Sequence, residues 1–254
     1  MIVQQYLDRI QYQGEVSANL QVLKKLMKAH LLNVPFENLD IHRKVWIELD
    51  AEKIYNKIVR KNRGGFCYEL NGNFYQLLMH IGFQVEIIGA QVYFPAQKTY
   101  SPPTSHMALL VHLDGETYLV DVGFGDFVSE PIKIGTATHH TDPCGQFKLT
   151  QTDSYHYLVE KYNETEAVFV PQYIFTRIPY LLHDFTHSCY YQQLSPDSHF
   201  TQNKVCSLLT STGRKTITQS KFIITVNGNK TEELITDEQE FNLLLQKEFN
   251  ISLN

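Results

Sequence analysis

Apolar residues recur along this chain at two periods, helical in the first third and alternating through the middle. Leu20, Leu23, Met27 and Leu31 form one helical stripe, with Ser17 placed to cap its start and Pro35 to stop it. Asp50 is placed to cap a second helix, in which Ile54 and Ile58 lie four apart and which ends at Gly64-Gly65. A third starts at about Cys67: Leu70, Phe74, Leu77 and Leu78 put one face in the core, and Gly82 follows as a C-terminal stop. From Phe83 onward Val85–Ile88, Ala90–Phe94, His106–His112, Thr117–Val122, Tyr155–Val159 and Ala167–Val170 read as strands. Asp237-Glu-Gln-Glu240 resembles a capping box ahead of Phe241, Leu244, Leu245 and Phe249, so the chain closes with a helix. Helices first, strands next and a closing helix predict the α+β class.

The dipeptide Asp114-Gly115 makes His106–His112 and Thr117–Val122 a hairpin. With those two residues at the centre of the turn, Leu113 pairs with Glu116, Ala108 falls opposite Asp121, and His106 falls opposite Gly123. His106 and Asp121 are then diagonal neighbours on one face, with backbones roughly 7–8 Å apart and side chains within reach of each other. A loop one residue longer or shorter would put them on opposite faces.

The candidate chemistry lies in Arg63-Gly-Gly-Phe-Cys67-Tyr-Glu-Leu-Asn71. Two glycines deliver Cys67 to a helix start, where unpaired N–H groups and the positive end of the helix dipole favour an anion and so a nucleophilic thiolate. His106 supplies a base and Asp121 a carboxylate to orient it. The backbone N–H of Cys67 is a natural donor to the oxyanion of an acyl-transfer intermediate. The bland alternative is a buried, inert cysteine.

Composition narrows the function classes. An apolar content of 43% with 12% aromatics allows a substantial core, and a net charge of −5 with no Lys/Arg run argues against a nucleic-acid surface. Four cysteines without Cys-x-x-Cys spacing fit neither a disulfide framework nor a zinc site, leaving Cys144, Cys189 and Cys206 unpaired. No stretch approaches the length of a membrane span and the N-terminus lacks a basic region followed by an apolar core, so the cytoplasm is the default location. His139-His140 with Asp142 invites a metal reading. Adjacent histidines in an extended segment point apart, however, and the flanking Thr and Pro read as a loop, so no metal is expected.

Taken together, Pro35-Phe-Glu-Asn-Leu39, the nine-residue cysteine segment, His106, Asp121-Val-Gly-Phe-Gly125 and Ser195-Pro-Asp-Ser-His-Phe200 resemble the arylamine N-acetyltransferases in their compact bacterial form, nearly end to end. The resemblance implies three lobes: a helical bundle (1–83) carrying the nucleophile, a β-rich, barrel-like domain (84–188) carrying His and Asp, and an α/β lid (189–254). The first two would form a papain-like cysteine-enzyme core. It further implies a Cys67-His106-Asp121 triad, acetyl-coenzyme A as cosubstrate, and arylamines or arylhydrazines as acceptors in a ping-pong reaction. Phe36 and Phe124 would border the acceptor pocket, and Thr104, Gly123, Gly125, Tyr191, Ser198 and His199 are the candidates for contact with the coenzyme. Arg63 would bond a core carboxylate, with Glu37 the candidate, rather than touch substrate. On residues alone, Gly123-Phe124-Gly125 is equally a tight turn ending the hairpin, and Phe36 an ordinary core residue. A thiol hydrolase or amide synthase on a related core and a non-catalytic binding module stay open beside the acetyltransferase; the first would turn over acetyl-coenzyme A without an amine, the second would be indifferent to Cys67→Ala.

Overall fold

The computed structural model describes residues 1–253. The first helices are α1 (Val3–Arg9), α2 (Leu20–Asn33), α3 (Leu39–His42) and α4 (Ala51–Tyr55), the last continuing as a widened π turn over Asn56–Arg60. A two-residue strand, β1 (Phe36–Glu37), interrupts them, and α5 (Cys67–Ile81) completes the bundle. Asp50 caps α4 by accepting from the Lys53 N–H at 2.9 Å, and Gly82 ends α5 in the left-handed conformation at φ +102°. The cap of α2 is Asn19 rather than Ser17: its side chain accepts from the Val22 N–H and donates to the Ser17 hydroxyl. Ser17 lies three residues before the first helical residue, too far back to reach the free N–H groups of the first turn.

Strands follow: β2 (Gln84–Phe94), β3 (Thr99–Tyr100), β4 (His106–Leu113), β5 (Glu116–Val120), β6 (Ile132–Lys133), β7 (Ala137–Asp142), β8 (Gly145–Gln151), β9 (His156–Asn163) and β10 (Val168–Tyr180). They form one antiparallel sheet in the order β6-β5-β4-β2-β10-β9-β8-β7, with β3 added to β2, curled into a nearly closed barrel. The His139-His140 segment is therefore the edge strand β7 and not a loop, because the turn falls at Pro143-Cys144, between the paired Asp142 and Gly145. A 3₁₀ turn (Leu182–Phe185), α6 (Thr186–Leu194) and α7 (His199–Gln202) lead to the meander β11 (Val205–Thr210), β12 (Gly213–Thr218), β13 (Lys221–Val226) and β14 (Asn229–Leu234), closed by α8 (Glu238–Phe249). The architecture is α+β, with N-terminal helices, a barrel and a C-terminal β/α region.

Burial divides into two clusters. The larger runs from Tyr6 to Cys189 and joins helices to barrel without a seam; the smaller gathers Cys206, Ile217, Phe222, Phe241, Leu245 and Phe249 around Leu39. β1 joins the two regions by pairing with β11. Asn38 strengthens the join, donating to the carbonyls of Phe200 and Asn203 and accepting from the Val205 N–H. The sequence pattern assigns α5 a single apolar face, yet the helix is buried on nearly all sides from Cys67 to Phe74, Glu69, Asn71 and Asn73 included. It packs between α1 and α4 on one side and β2 and β4 on the other.

A buried charge cluster holds the approach to α5. Arg63 donates to Glu37 and Asp40 at 2.9 Å each, and the Lys57 ammonium reaches Asp40 at 2.9 Å and Glu69 at 2.8 Å. Glu69 turns back to accept from the Phe66 N–H at 3.2 Å, the capping arrangement at the start of α5. Gly64 and Gly65 are required by close approach: a Cβ on Gly64 would lie 2.0 Å from the Pro35 carbonyl oxygen, and one on Gly65 2.7 Å from the Glu69 Cβ. Three carboxylates share two cations. Burial opposes the ionisation of Asp40, but Lys57 and Arg63 outweigh it and hold that carboxyl low. Glu69 takes up the imbalance: burial pushes it up to about 7, with Lys57 pulling down and Glu37 pushing up.

Because the folded protein holds the Glu69 proton above the ordinary value of 4.5, the stability contributed by protonated Glu69 is complete below that value and is lost as pH rises to about 7. Thermal melts of wild type and Glu69→Gln across that window should therefore diverge, the wild type losing stability relative to the amide as pH rises. A constant difference would mean that Glu69 does not titrate there.

Candidate active site

The hairpin places His106 and Asp121 as the turn requires. Asp114 and Gly115 both have positive φ, 51° and 78°, the type I′ geometry that matches strand twist. Leu113 pairs with Glu116 and Leu109 with Val120, which sets Asp121 one residue beyond β5 and diagonal to His106. The imidazole Nε2 lies 2.7 Å from Asp121 Oδ2. With the ring proton on Nε2, Nδ1 is left as the basic nitrogen.

Asn71 seats the nucleophile helix against this hairpin. One turn along α5 from Cys67, its amide donates to the Met107 carbonyl at 2.7 Å and to Asp121 Oδ1 at 2.9 Å, and its oxygen accepts from the Val122 N–H at 2.9 Å. The Gly123 N–H is a further donor to Asp121 Oδ1, at 2.9 Å, so both oxygens of the carboxylate are engaged. Gly123 packs directly on the helix start, where a Cβ would stand 2.8 Å from the Cys67 Cα and 2.6 Å from the Asn71 amide nitrogen. Its role in the fold is close contact with the Cys67 backbone. Neither Asn71 nor Tyr173 was among the sequence candidates. The i, i+4 spacing from Cys67 was a usable signal for Asn71; Tyr173 lies on β10 with none. Tyr173 packs 5.4 Å from His106 and 5.2 Å from Phe124 between ring centroids, with its hydroxyl beside Asp121, and burial and then the carboxylate charge push its phenol well up.

The electrostatics of Cys67 differ from the sequence expectation. The thiol is 3% exposed, and burial pushes its pKa up, reinforced by the charge of Asp121; the N–H groups of Met107 and Tyr68 pull it down but do not win. The helix start alone does not hold a thiolate. Among the described residues Cys67 makes no hydrogen bond to His106, consistent with a neutral thiol being a weak donor, and Asp121 is the side chain bonded to the imidazole.

Other candidates are distributed around this centre. The Phe124 ring meets His106 edge-on at 5.1 Å, whereas Phe36 packs on Phe200, which in turn packs on Phe66. Thr104 has φ +62°, bonds Ser188 of α6 through its hydroxyl and accepts from the Tyr68 hydroxyl through its carbonyl. Gly125 also has positive φ, +97°. Ser198 is buried as the cap of α7, its hydroxyl donating to Gln192 and accepting from the Phe200 N–H, while Tyr191 and His199 are exposed. A cleft of about 320 Å³ lined by Arg43, Trp46, Lys57, Lys61, Arg63 and Glu69 includes none of Cys67, His106 and Asp121. Arg63 bonds Glu37, as the sequence suggested, and Asp40 besides. Cys144, Cys189 and Cys206 are free thiols. Among the described residues, no group of three or more His, Cys, Asp or Glu could hold a metal ion, and no helix is long and apolar enough to cross a membrane.

Residues 19–254 match the N-acetyltransferase family profile. The chain belongs to the arylamine N-acetyltransferase family. It is 33% identical to human arylamine N-acetyltransferase 1, covering 100% of this chain and 95% of that one, and 31% identical to the chicken pineal gland isozyme NAT-10 with the same coverage. Solved bacterial structures superpose throughout. The arylamine N-acetyltransferase of Salmonella typhimurium gives a TM-score of 0.93 at 26% identity, covering 99% of this chain and 92% of that one. The Bacillus cereus enzyme, described as having a unique Cys-His-Glu catalytic triad, gives 0.91 at 26% identity with both chains fully covered. The carboxylate bonded to His106 in the present arylamine N-acetyltransferase is an aspartate.

Two outcomes follow for this site. In His106→Gln the thiol keeps its burial and loses the neighbouring imidazole, so alkylation of Cys67 at neutral pH should slow, by up to about tenfold for each unit by which the thiol pKa rises, as mapped by mass spectrometry. Asn71→Ala should cost about 1–3 kcal/mol for each buried group it leaves unpaired, measured by denaturant unfolding.

Proposed function

We propose that this enzyme moves the acetyl group of acetyl-coenzyme A through a thioester on Cys67 to the amino group of an arylamine or arylhydrazine. The observation that carries the reading is the junction of α5 with the hairpin: a buried cysteine, an imidazole bonded to a fully engaged carboxylate at 2.7 Å, and Asn71 tying the two elements together. A solved relative, the arylamine N-acetyltransferase of Mycobacterium marinum, was determined in complex with CoA and superposes with a TM-score of 0.89 at 26% identity, which supports acetyl-coenzyme A as the donor.

In the first half-reaction the Cys67 proton passes to His106 Nδ1 as the sulfur attacks the thioester carbonyl. Transfer inside the site creates a thiolate and an imidazolium together, and Asp121 stabilises the cation, so burial opposes the pair far less than it opposes a lone thiolate. The oxyanion is met by the Cys67 N–H at the helix start, with the Met107 N–H, which already faces the sulfur, as a second donor. The intermediate collapses, the C–S bond to coenzyme A breaks, and the imidazolium proton leaves with that thiol. The amine then attacks the Cys67 acetyl group, His106 Nδ1 takes the proton the amine sheds, and returning it to Cys67 regenerates the thiol. The released coenzyme A must vacate the site before the amine enters, which makes the kinetics ping-pong.

Phe124, held on the imidazole edge, borders the space where the acceptor ring lies; Phe36 lines the same approach from β1. Thr104, Gly123, Gly125, Tyr191, Ser198 and His199 remain the coenzyme contacts under this reading, with Thr104 and Ser198 best placed to act through backbone groups because their hydroxyls are engaged. The lobes 1–83, 84–188 and 189–254 divide the work as nucleophile, base and lid.

Incubation with acetyl-coenzyme A alone should add one acetyl group to the intact protein, at Cys67, and an arylamine should discharge it; intact-mass spectrometry reads both steps. A Cys67→Ala protein that still acetylates an arylamine would sink the proposal. Asp121→Asn should retain the fold and lose activity by about 10⁴-fold, by analogy with a triad carboxylate turned amide. A rate near wild type would remove Asp121 from the mechanism and leave Cys67 in place.

A further inference from the structure

We propose that Arg214, on β12 of the C-terminal region, is a positioning residue for the catalytic turn, acting through Gly125 on Phe124 and thereby on His106. This rests on the roles given to Cys67, His106 and Phe124 above. The turn Asp121–Gly125 is pinned at its start, where Asp121 Oδ1 accepts from the Gly123 N–H and Val122 donates to Asn71. Its far end has a different anchor. The guanidinium of Arg214 donates through Nη2 to the Gly125 carbonyl at 2.7 Å and through Nη1 to the Ser207 hydroxyl at 3.1 Å.

That anchor is deliberate in physical terms. The Arg214 side chain is 16% exposed, and its nearest carboxylate, Asp126, stands 3.8 Å away, is 69% exposed and is shared with Lys161 at 2.9 Å. A mostly buried cation without a close carboxylate is costly unless its N–H groups are used. Two of them are used at once, from two separate nitrogens, one on each side of the junction between turn and β11–β12, a spacing that the planar fork fixes and that the one nitrogen of a lysine does not reproduce. Gly125, at φ +97°, turns its carbonyl into that fork, and the residue before it carries the ring that lies 5.1 Å from His106 and 5.2 Å from Tyr173. Arg214 also lines a small crevice with Phe36, Val122 and Gly125, so its guanidinium sits where helices, turn and C-terminal sheet meet. Without Arg214 the Gly125 carbonyl keeps only the Phe127 N–H, a bond within the turn at 3.1 Å that does not tie it to the C-terminal sheet, so Phe124 can shift along the imidazole edge it meets.

The test measures the single-turnover acetylation of Cys67 by acetyl-coenzyme A, alongside melting temperature, in wild type, Arg214→Ala and Arg214→Lys. Acetylation of wild type at Cys67 tests the underlying reading, and its failure would overturn both; the variants test Arg214. Arg214→Ala should acetylate about 10²-fold more slowly, the scale of a misplaced catalytic group, with the KM for acetyl-coenzyme A within about twofold of wild type. Added guanidinium ion at sub-denaturing concentration should restore much of the rate to Arg214→Ala, whereas an equal concentration of sodium chloride should not. Arg214→Lys, which keeps the charge, should stay well below wild type because it has one nitrogen where the guanidinium uses two. A wild-type rate in Arg214→Lys or Arg214→Ala would overturn the proposal, as would a loss in well-folded Arg214→Ala that guanidinium leaves untouched.

Discussion

The seating of one helix end on one hairpin is the constraint that the rest of the structure serves. Cys67 is useful only if its sulfur meets His106, and that depends on how closely α5 approaches the turn after β5. Two residues set the distance: Gly123, which leaves no room for a Cβ above the Cys67 backbone, and Asn71, whose single amide bonds Met107, Val122 and Asp121. The same amide that positions the helix also orients the carboxylate, so the positions of Cys67 and His106 are coupled through one side chain.

Around that junction the protein accepts considerable burial of polar groups. Glu37, Asp40, Arg63, Lys57 and Glu69 fill the space on the approach to α5, and each is matched to a partner or, for Glu69, to a backbone N–H as well. Such clusters are weak contributors to net stability but strong in specificity, because any other seating of the helix would leave a charge buried without its partner. The motif Pro35-Phe-Glu-Asn-Leu39 is explained on the same terms. Pro35 and Glu37 hold the glycines and Arg63, and Asn38 ties the first helices to the C-terminal sheet.

Burial also changes how the chemistry must begin. A helix N-terminus favours an anion by a modest amount, whereas removing a thiolate from water opposes it more strongly, and at Cys67 the second effect wins. Ionisation therefore belongs to the pair rather than to the thiol. In the proposed reaction the imidazole accepts the proton where Asp121 is already bonded to it, exchanging a neutral pair for a compensated ion pair without exposing either charge to solvent.

The local and periodic features of this protein were legible in its residues. The type I′ turn at Asp114-Gly115 dictated the register of β4 with β5 and so the meeting of His106 with Asp121, because side-chain direction in a strand alternates strictly. The start and stop of α5, the cap at Asp50 and the closing helix were equally readable, since each depends on neighbours a few residues away. Two local readings failed for local reasons: Asn19 outcompeted Ser17 as a cap, and His139-His140 proved extended because the turn fell at Pro143-Cys144. Everything that depends on distant approach was decided by the fold. Only there do Asn71 and Tyr173 reach Asp121 and His106, does Gly125 meet Arg214 from 89 residues away, and does burial reverse the charge preference of Cys67. The period of a sequence says which face of an element is apolar; the desolvation of a thiol depends on what covers it from every side.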